Sequence, residues 1–324
     1  MVIRPLLVAL TLLLGSGCSA VKKDSTTGVS RSLPEEPPPP APPPPEKSAD
    51  SGADPLLGIS EPFHGRSVQG GEILSDVGLL DELAPYDLVC VGEQPDSAHS
   101  HWAQLAVLYG LALRAEMSGR QLGLGLEMVE NRFEPELELY YEGKLDLAHL
   151  PDAIEWTAHW HHDFALYRPL FELADSRRIP ILGLDAPREV TRSIARGGFR
   201  ELADATEEGR TEKSDLDNAA HQAGFDATVG KRSHRVNPQH LHAAEVFRVE
   251  TMAEQAGSWL RQQQPARQMM VAAGIGHCRT FEIPSRVQRL LHGCRVISVL
   301  PSQGSASEAE AKGYDIVMVL GTAQ

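Results

Sequence analysis

The sequence has too few basic residues for a typical nucleic-acid-binding protein. Its 324 residues include 30 lysines and arginines against 44 aspartates and glutamates, a formal net charge of −14. Because binding to a phosphate backbone requires a basic surface, this balance argues against a nucleic-acid partner. The same shortage argues against adsorption to anionic lipids through a polybasic patch. Any attachment to a membrane must therefore depend on something other than positive charge.

Aromatic residues make up only 6% of the chain, and cysteines are also scarce, with four in all. Cys18 belongs to the leader discussed below, so three cysteines remain, an odd number that excludes a fold built on a disulfide framework. Cys90 lies within an apolar run, where we expect it to be a small buried hydrophobic residue. The one bridge that we consider joins Cys278 to Cys294, and it would need an oxidising compartment.

The apolar run near the N-terminus, Pro5–Leu14, is too short to span a bilayer, which takes about 20 apolar residues. It follows one basic residue and precedes small residues and Cys18, the pattern of a secretory signal that ends in a bacterial lipobox. We therefore predict a signal peptide over residues 1–17 and lipidation of Cys18. Because Ser19 is not Asp, we expect an outer-membrane lipoprotein, and the side that it faces stays open. The alternative is an ordinary secretory signal cleaved after Ala20.

Residues 18–54 are predicted to be a tether between the lipid anchor and a folded domain at residues 55–324. The segment contains two proline runs, Pro37–Pro40 and Pro42–Pro45, set among polar and charged residues. Such a chain is extended and semi-rigid, and it has too little apolar surface to fold. The membrane would then be a partner only through the lipid.

Short apolar runs alternate with longer amphipathic stretches after residue 55. The runs are bounded by Gly or Pro, which is typical of buried strands in a mostly parallel sheet. Amphipathic helices are predicted at His99–Ser118, Phe164–Arg178 and Pro187–Arg196. The fold class is therefore α/β, with a mostly parallel central sheet flanked by helices. The six predicted strands are Asp87–Gly92, Gln121–Met128, Pro180–Asp185, Met269–Gly274, Arg295–Leu300 and Tyr314–Leu320.

A polar, Ala- and Glu-rich stretch interrupts this alternation at about residues 200–264. We interpret it as a helical insert or subdomain that caps the edge of the sheet. Within it we predict a loop over Ala223–Gln239 and a helix over His240–Arg261.

Chemically active residues follow four of the predicted strands. The first strand ends at Glu93, the second near Glu127, the third at Asp185, and the fourth leads into Gly274-Ile275-Gly276-His277. Ligands bind at the carboxyl ends of parallel strands, so these side chains are expected to converge on one site. The alternative is that Glu93 or Asp185 only caps the helix that follows it.

Six stretches carry a family resemblance that extends from about Leu57 to Leu291. In this order and spacing the sequence resembles the ChaN-type haem-binding lipoproteins, within the wider Tiki, TraB and erythromycin-esterase superfamily. The resemblance implies a parallel-sheet core with a helical subdomain, and a strand-end pocket for haem or another iron-containing molecule. It also suggests that two copies of the chain pair around haem as a homodimer. The stretches are Leu88–Glu93, His99 with His101, Gly125–Met128, Trp160–Leu170, Leu182–Arg188 and Ala273–Arg286.

The first motif departs from the family pattern, which commonly reads Gly-Glu-x-His. Here Pro95 stands in place of the histidine, and only the second motif, Gly274 to His277, is complete. His99 or His101 could take its place, unless both lie exposed in the first turn of the next helix. The alternative function is a metal- or Glu/His-dependent hydrolase, with Glu93 as general base beside Glu127 and His277. Because the histidine of the first motif is missing, we place this function second to haem binding.

Haem iron needs an axial His, Tyr, Cys or Met ligand. We prefer Tyr167, which precedes a proline in the resembling stretch, and next His159. The alternatives are core packing for Tyr167 and a solvated loop for His159. Arg188 is predicted to pair with a haem propionate, with a salt bridge to a strand-end carboxylate such as Glu127 as the alternative. The full predicted ligand-binding set is His99, His101, Asp185, Arg188, Gly274 and Gly276.

Overall fold

The computed structural model describes residues 62–199, 216, 218–228, 237–262 and 265–321. The predicted signal peptide, Cys18 and the tether lie outside the described residues. Among the described helices, none combines the length and the apolar character needed to cross a membrane.

One mixed sheet of eight strands forms the centre of the described fold. The strands are β1 (Phe63–Ser67), β2 (Ile73–Leu74), β3 (Leu88–Glu93), β4 (Gln121–Glu130), β5 (Ile181–Asp185), β6 (Arg267–Gly274), β7 (Val296–Gln303) and β8 (Ile316–Leu320).

Their order across the sheet is β2-β1-β8-β7-β3-β6-β4-β5. From β8 to β5 every neighbouring pair is parallel, while β1 runs antiparallel to both β2 and β8. The α/β class with a mostly parallel sheet is thus confirmed, and all six predicted strands are present. The short β1–β2 hairpin was not predicted, because its sequence is too polar and too short to show a strand pattern.

Helices cover both faces of the sheet. They are α1 (Asp76–Leu83), α2 (Ala98–Ser118), α3 (Glu134–Tyr141), α4 (Leu150–Ala153), α5 (Trp156–His159), α6 (Arg168–Ser176), α7 (Arg188–Gly197), α8 (Ala219–Thr228), α9 (Pro238–Leu260), α10 (Ile283–Leu290) and α11 (Glu308–Ala311), with 3₁₀ turns at Asn131–Phe133 and Phe164–Leu166.

The side chains of β3 show how the two cores are divided. Val89 and Val91 belong to the core formed with α2, whereas Leu88 and Cys90 belong to the core formed with α9 and α10. Successive residues of a strand point to opposite faces, so an unbroken apolar run feeds both layers. The carboxyl end of β3 therefore leaves the sheet between two packed layers, and Glu93 is buried there.

The helix predicted over Phe164–Arg178 is divided in two. A 3₁₀ turn ends at Leu166, and α6 begins at Arg168 with Pro169 in its first turn. Proline has no N–H for the i→i−4 ladder, so a helix can begin at this position but cannot run through it. Tyr167 lies at the junction, which turns its side chain into the core.

The predicted helical insert differs from expectation in two ways. The loop predicted over Ala223–Gln239 is wrong in its first part, because α8 continues to Thr228. The Asn218 side chain accepts hydrogen bonds from the N–H groups of Ala220 and His221, and so caps this helix. In addition, α9 packs on the face of the sheet against β5 and β6, and against α7 and α10.

The cysteine pairing that we suggested from the sequence is wrong. Cys90 forms a disulfide with Cys278, 188 residues further along the chain, and Cys294 is the free thiol. Both bonded cysteines are fully buried. Cys90 was expected to be an unbonded hydrophobic residue because its partner comes from the loop after β6, which only the fold brings close.

Candidate functional site

Four strand ends converge as the sequence predicts. In the sheet β3, β6, β4 and β5 are consecutive parallel neighbours, so their carboxyl ends share one edge. An irregularity in β4 between Leu126 and Glu130 shifts its register against β5. Gly183 of β5 lies so close to this irregular stretch that an added Cβ would be 2.6 Å from the Glu130 carbonyl oxygen. Glycine at this position permits the close approach of the two strands.

Helix capping does not account for the strand-end carboxylates. The N-caps of α2 and α7 are Ser97 and Pro187, so neither Glu93 nor Asp185 caps the following helix. Asp185 instead pairs with Arg248 of α9, whose Nη2 lies 2.7 Å from Oδ2 of Asp185.

Arg248 joins two of the strand ends. Its Nη2 also lies 3.0 Å from Oε1 of Glu127, which is itself almost fully buried. The other carboxylate oxygen of Glu127 accepts a 2.7 Å hydrogen bond from the N–H of Gly274. Because β4, β5, β6 and α9 all contribute to this network, it fixes their relative positions at the sheet edge.

His277 completes the network. Its Nε2 lies 3.1 Å from Oε1 of Glu127 and 3.5 Å from Oε1 of Glu245 on α9. Burial alone would lower the pKa of His277, but the carboxylates of Glu127 and Glu245 raise it to about 9. Burial would likewise raise the pKa of Glu127, but His277, Arg248 and the Gly274 N–H together hold it well below its usual range. His277 is therefore a cation and Glu127 an anion at neutral pH.

Glu93 has a different environment. Its Oε1 accepts a 2.7 Å hydrogen bond from the Tyr167 hydroxyl, and its Oε2 lies 3.5 Å from Nδ1 of His101. Burial, with a contribution from the nearby charge of Glu127, raises the pKa of Glu93 to about 8. The carboxyl group is therefore mostly protonated at neutral pH, and its proton can lie on Oε2 facing His101.

His101, and not His99, lies beside Glu93. Its Nε2 is 2.9 Å from the carbonyl oxygen of Pro95, and its ring packs against Tyr167 with centroids 4.4 Å apart. Burial lowers the pKa of His101, so the ring is neutral, and donation from Nε2 leaves Nδ1 as the acceptor toward Glu93. An imidazole from the next helix thus stands near the position where Pro95 replaces the family's histidine.

The strand ends open into a cavity of about 440 Å³. Most of its exposed lining is apolar, and Trp160, Phe225 and Ile275 are part of its wall. Five of the residues that we expected to converge on one site line this cavity: Glu93, Glu127, Gly274, Gly276 and His277.

Other predicted residues line neighbouring cavities. Asp185, Arg188 and His159 line a space of about 280 Å³ that shares Glu127 and Trp160 with the main cavity. His99 lines a third space of about 280 Å³, which shares Arg279 with the main cavity. The predicted ligand-binding set is therefore divided among three cavities, except for His101, which is buried beside Glu93 and lines none of them.

Tyr167 and His159 do not fit the role of iron ligand that we expected. The Tyr167 side chain is fully buried, donates to Glu93, and accepts a 2.9 Å hydrogen bond from Nε1 of Trp160. Burial raises the pKa of Tyr167, which disfavours a phenolate. His159 has a Glu130 oxygen 2.8 Å from Nδ1 and a Glu155 oxygen 2.8 Å from Nε2, so a carboxylate stands against each ring nitrogen.

Arg188 does not form the salt bridge to Glu127 that was the alternative for it, and its pairing with a propionate stays a prediction. Its guanidinium donates to the carbonyl oxygen of Ala158, and its backbone N–H donates to Glu130. The arginine that pairs with Glu127 is Arg248, because α9 crosses the sheet where α7 does not.

His221 of α8 was not predicted, and it lines the main cavity. Its Nδ1 lies 2.7 Å from Oε2 of Glu282, while its Nε2 is buried with no hydrogen-bond partner among the described residues. With Nδ1 as donor to the carboxylate, Nε2 carries the free lone pair. Spacing could have indicated this face of α8, since His221 and Phe225 are four residues apart and both are buried.

The described residues contain no cluster of three or more His, Cys, Asp or Glu side chains arranged to hold a metal ion by themselves. A single histidine with a free Nε2 instead suits a ligand that brings its own equatorial donors, as the porphyrin of haem does.

The fold and site define an α/β protein with buried titratable groups around a strand-end pocket. The chain belongs to the haem-binding uptake family of the Tiki superfamily, ChaN, whose pattern matches residues 79–287. No curated protein matches the chain by sequence.

Among solved structures, ChaN of Campylobacter jejuni, described for its cofacial haem binding, is 16% identical to this chain. The match covers 82% of this chain and 98% of that one, with a TM-score of 0.60. At this identity the likeness shows the fold alone. The type III effector HopBA1 (11% identical, 76% and 94% covered, TM-score 0.43) and the erythromycin esterase EreC (13%, 80% and 83%, 0.40) are too distant to carry an argument.

Proposed function

We propose that this protein binds haem in the strand-end cavity, with Nε2 of His221 as the protein ligand to the iron. Two observations carry the proposal: His221 lines that cavity, and its buried Nε2 has no hydrogen-bond partner among the described residues. Haem-binding uptake is the function that describes the family. Haem binding in iron uptake or haem handling is therefore the role that we propose for this chain.

The residues around His221 fit a haem ligand. Metal-binding histidines usually donate their second ring N–H to a carboxylate, which fixes the tautomer and the ring orientation, and Glu282 holds His221 in this way. Glu282 in turn lies 3.4 Å from Nη1 of the buried Arg286. Haem iron accepts such an imidazole as an axial ligand.

The rest of the cavity supplies apolar contacts and one cationic partner. Trp160, Phe225 and Ile275 would pack against the macrocycle, and a volume of about 440 Å³ lies in the range of small-molecule pockets. Arg279 lines this cavity and the one beside His99, where its guanidinium could pair with a propionate in the role that we had expected of Arg188.

Hydrolysis is the weaker alternative for the same site. The carboxyl group of Glu93, which we expected to act as general base, has its pKa raised to about 8 and its Oε1 bonded to Tyr167. A base must be deprotonated at the working pH, so Glu93 is poorly suited to this role below pH 8.

We also propose that the protein is exported and held by a lipid on Cys18 in the outer membrane. The leader pattern supports this proposal, and so does the Cys90–Cys278 disulfide, because such bonds persist in oxidising compartments such as the periplasm. The cofacial haem binding of the Campylobacter jejuni relative supports a haem-linked homodimer. Sedimentation velocity with and without hemin tests that pairing.

A hemin titration of the full chain, followed by absorbance, tests the proposal. We expect a shifted Soret band that saturates, and we expect His221→Ala to alter its position and weaken binding at least tenfold. The control is His149→Ala, because His149 is exposed and paired only with Asp146 among the contacts described. No saturable band would contradict haem binding, and an unchanged band in His221→Ala would contradict the ligand assignment.

A further inference from the structure

A second large cavity lies at the opposite edge of the sheet. Its volume is about 930 Å³, against about 440 Å³ for the strand-end cavity. The residues just before β3, β4 and β7 and the first residues of β6 contribute to it, as do the last turns of α9 and α10. Because these are the amino ends of the parallel strands, this cavity shares no residue with the proposed haem site.

Charge distinguishes this cavity from the rest of the molecule. Two aspartates, Asp81 and Asp87, line it together with five arginines, so the wall carries three more positive than negative charges. The whole chain has a net charge of −14. A concentration of arginine in one cavity of an acidic protein is a local attraction for anions. The arginines are Arg114, Arg120, Arg261, Arg267 and Arg295.

Two of the arginines are structural. Arg114 holds Asp81 through a 2.6 Å contact, and Arg120 holds Asp87 at 2.8 Å. Arg120 also donates to the carbonyl oxygens of Ala84 and Arg267, which secures the loop that precedes β3. These pairs compensate both aspartates, so they do not account for the positive charge of the cavity.

The other arginines carry the surplus charge. Neither Arg261 nor Arg267 has a carboxylate within 4.0 Å among the described residues, and Arg295 only shares Asp87, at 3.8 Å. Arg267 is held in place: its guanidinium stacks on Trp259 at 4.5 Å, and its Nη1 donates to the Trp259 carbonyl oxygen. Its Nε is buried with no acceptor in the described structure. An immobilised guanidinium that has no carboxylate partner is suited to binding an oxyanion.

Apolar residues and the free thiol complete the wall. Leu260, Leu290 and Leu291 line the cavity beside the arginines. Cys294 also lines it, and burial raises the pKa of its thiol to about 11. A thiol that stays protonated is a poor nucleophile and a poor metal ligand. We therefore expect a ligand of this cavity to bind without a covalent or metal bond to Cys294.

We propose that this cavity is a second binding site, for an anionic amphiphile with a carboxylate or phosphate head and a single alkyl chain. The arginines Arg261 and Arg267 bind the head, and the leucines Leu260, Leu290 and Leu291 contact the chain. This division follows from the cavity itself, which combines uncompensated guanidinium groups with an apolar wall in about 930 Å³. The proposal does not depend on haem binding at the other edge.

Calorimetric titration of the full chain with dodecyl phosphate, below its micelle concentration, tests the second site. We expect one molecule bound per chain, and at least tenfold weaker binding by Arg261→Glu. Arg261 is exposed, so this substitution leaves the fold intact, which circular dichroism verifies. Arg261→Lys should bind nearly as well as the unaltered chain, and so should Arg196→Glu, which changes an exposed arginine on α7 outside the cavity.

Two further ligands test the class of molecule. Inorganic phosphate has the anionic head without the alkyl chain, and dodecyltrimethylammonium has the alkyl chain with a cationic head. Both should bind at least tenfold more weakly than dodecyl phosphate. Equal binding of either one would overturn the proposal, as would unchanged affinity in Arg261→Glu. Peptide mapping by mass spectrometry should also show that dodecyl phosphate protects Cys294 from alkylation, and unaltered labelling would place the ligand elsewhere.

Discussion

The hydroxyl of Tyr167 donates a 2.7 Å hydrogen bond to Oε1 of Glu93. The two residues are 74 positions apart, and both side chains are buried. The same hydroxyl accepts a hydrogen bond from Trp160, so it is occupied as donor and as acceptor. This pair explains why Tyr167 does not fit the role of iron ligand. Glu93 stays protonated because its burial outweighs the Tyr167 hydrogen bond, which by itself lowers the pKa of the carboxyl group.

Replacing Tyr167 by Phe should leave haem ligation unchanged. The substitution removes a hydroxyl that bonds to Glu93 and Trp160 but not one that the cavity presents to a ligand. We expect the Soret maximum of the hemin complex to stay in place while stability falls by ~1–2 kcal/mol, the usual cost of a lost buried hydrogen bond. Absorbance and urea unfolding measure the two effects. A displaced Soret maximum in Tyr167→Phe, with His149→Ala unchanged, would restore Tyr167 as the ligand.

Glu93→Gln should stabilise the protein at neutral and alkaline pH. The folded state raises the pKa of Glu93 from 4.5 to about 8, so the stability that the neutral carboxyl provides is full below pH 4.5 and lost as pH rises to 8. Glutamine keeps an acceptor for Tyr167 and cannot ionise. We expect a gain of ~3 kcal/mol in the free energy of unfolding at pH 7, and little change at pH 4.

Urea unfolding of the Glu93→Gln variant at pH 4, 7 and 9 measures this gain. Glu172→Gln is the matched control, because Glu172 is a half-exposed partner of Arg168 and should change stability by less than ~0.5 kcal/mol. A loss of stability in Glu93→Gln at pH 7 would show that the carboxylate, not the acid, is the form that the fold holds.

Stability should also fall between pH 6.5 and 9 because of His277. The fold raises its pKa from 6.5 to about 9, so the contribution of the protonated ring is complete below pH 6.5 and lost as pH rises to 9. In a Glu93→Gln background, which removes the overlapping titration, we expect a decrease of ~2 kcal/mol over this interval. Adding His277→Gln should flatten the profile. A slope that persists in the double variant would assign the titration to another group.

Arg248→Met should be strongly destabilising. Arg248 is the cation shared by Glu127 and Asp185, and Glu245 lies 3.6 Å from its Nη1. Its loss would leave Asp185 without a cation and would leave Glu127 and Glu245 with His277 alone, for which we expect a cost of ~3–5 kcal/mol in urea unfolding at pH 7. Arg168→Met, which breaks an exposed pair, should cost less than ~1 kcal/mol. Similar small effects for both variants would show that the network is not stabilising.

Alkylation of the denatured, unreduced chain should label Cys294 and leave Cys90 and Cys278 as one linked peptide pair. The disulfide joins positions 188 residues apart, so it strongly restricts the unfolded chain. The Cys90→Ala and Cys278→Ala double variant should lose ~2–5 kcal/mol of stability. Peptide mapping by mass spectrometry checks the pairing. A Cys278–Cys294 peptide, or three free thiols, would contradict the structure.

Much of the fold could be predicted because each parallel strand is a short apolar run with a clear end. β3, for example, is buried along its whole length and ends in glycine and a carboxylate. The β1–β2 hairpin could not be predicted, since Ile73–Leu74 is only two residues long and gives no periodic signal. The Phe164–Arg178 helix was predicted as continuous because the apolar spacing persists across Pro169. The backbone helix, however, is interrupted just before this proline.

The site was predictable where it belongs to the strands and not where it belongs to the helices. Glu93, Glu127 and His277 lie at or near the carboxyl ends of strands whose order alone places them together. Arg248, Glu245 and His221 come from α9 and α8, and their position depends on how those helices cross the sheet, which the sequence pattern does not specify. The Glu245–Arg248 spacing of three residues was visible, but on a polar helix it reads equally well as an exposed ion pair.

The most direct test of the central claim is electron–nuclear double resonance of the ferric haem complex, prepared with protein whose histidines carry ¹⁵N. We predict a coupling from one histidine nitrogen in addition to those of the porphyrin. It should disappear in His221→Ala and remain in His149→Ala. A complex without any histidine coupling, or a coupling that survives in His221→Ala, would contradict iron ligation by His221 in the strand-end cavity.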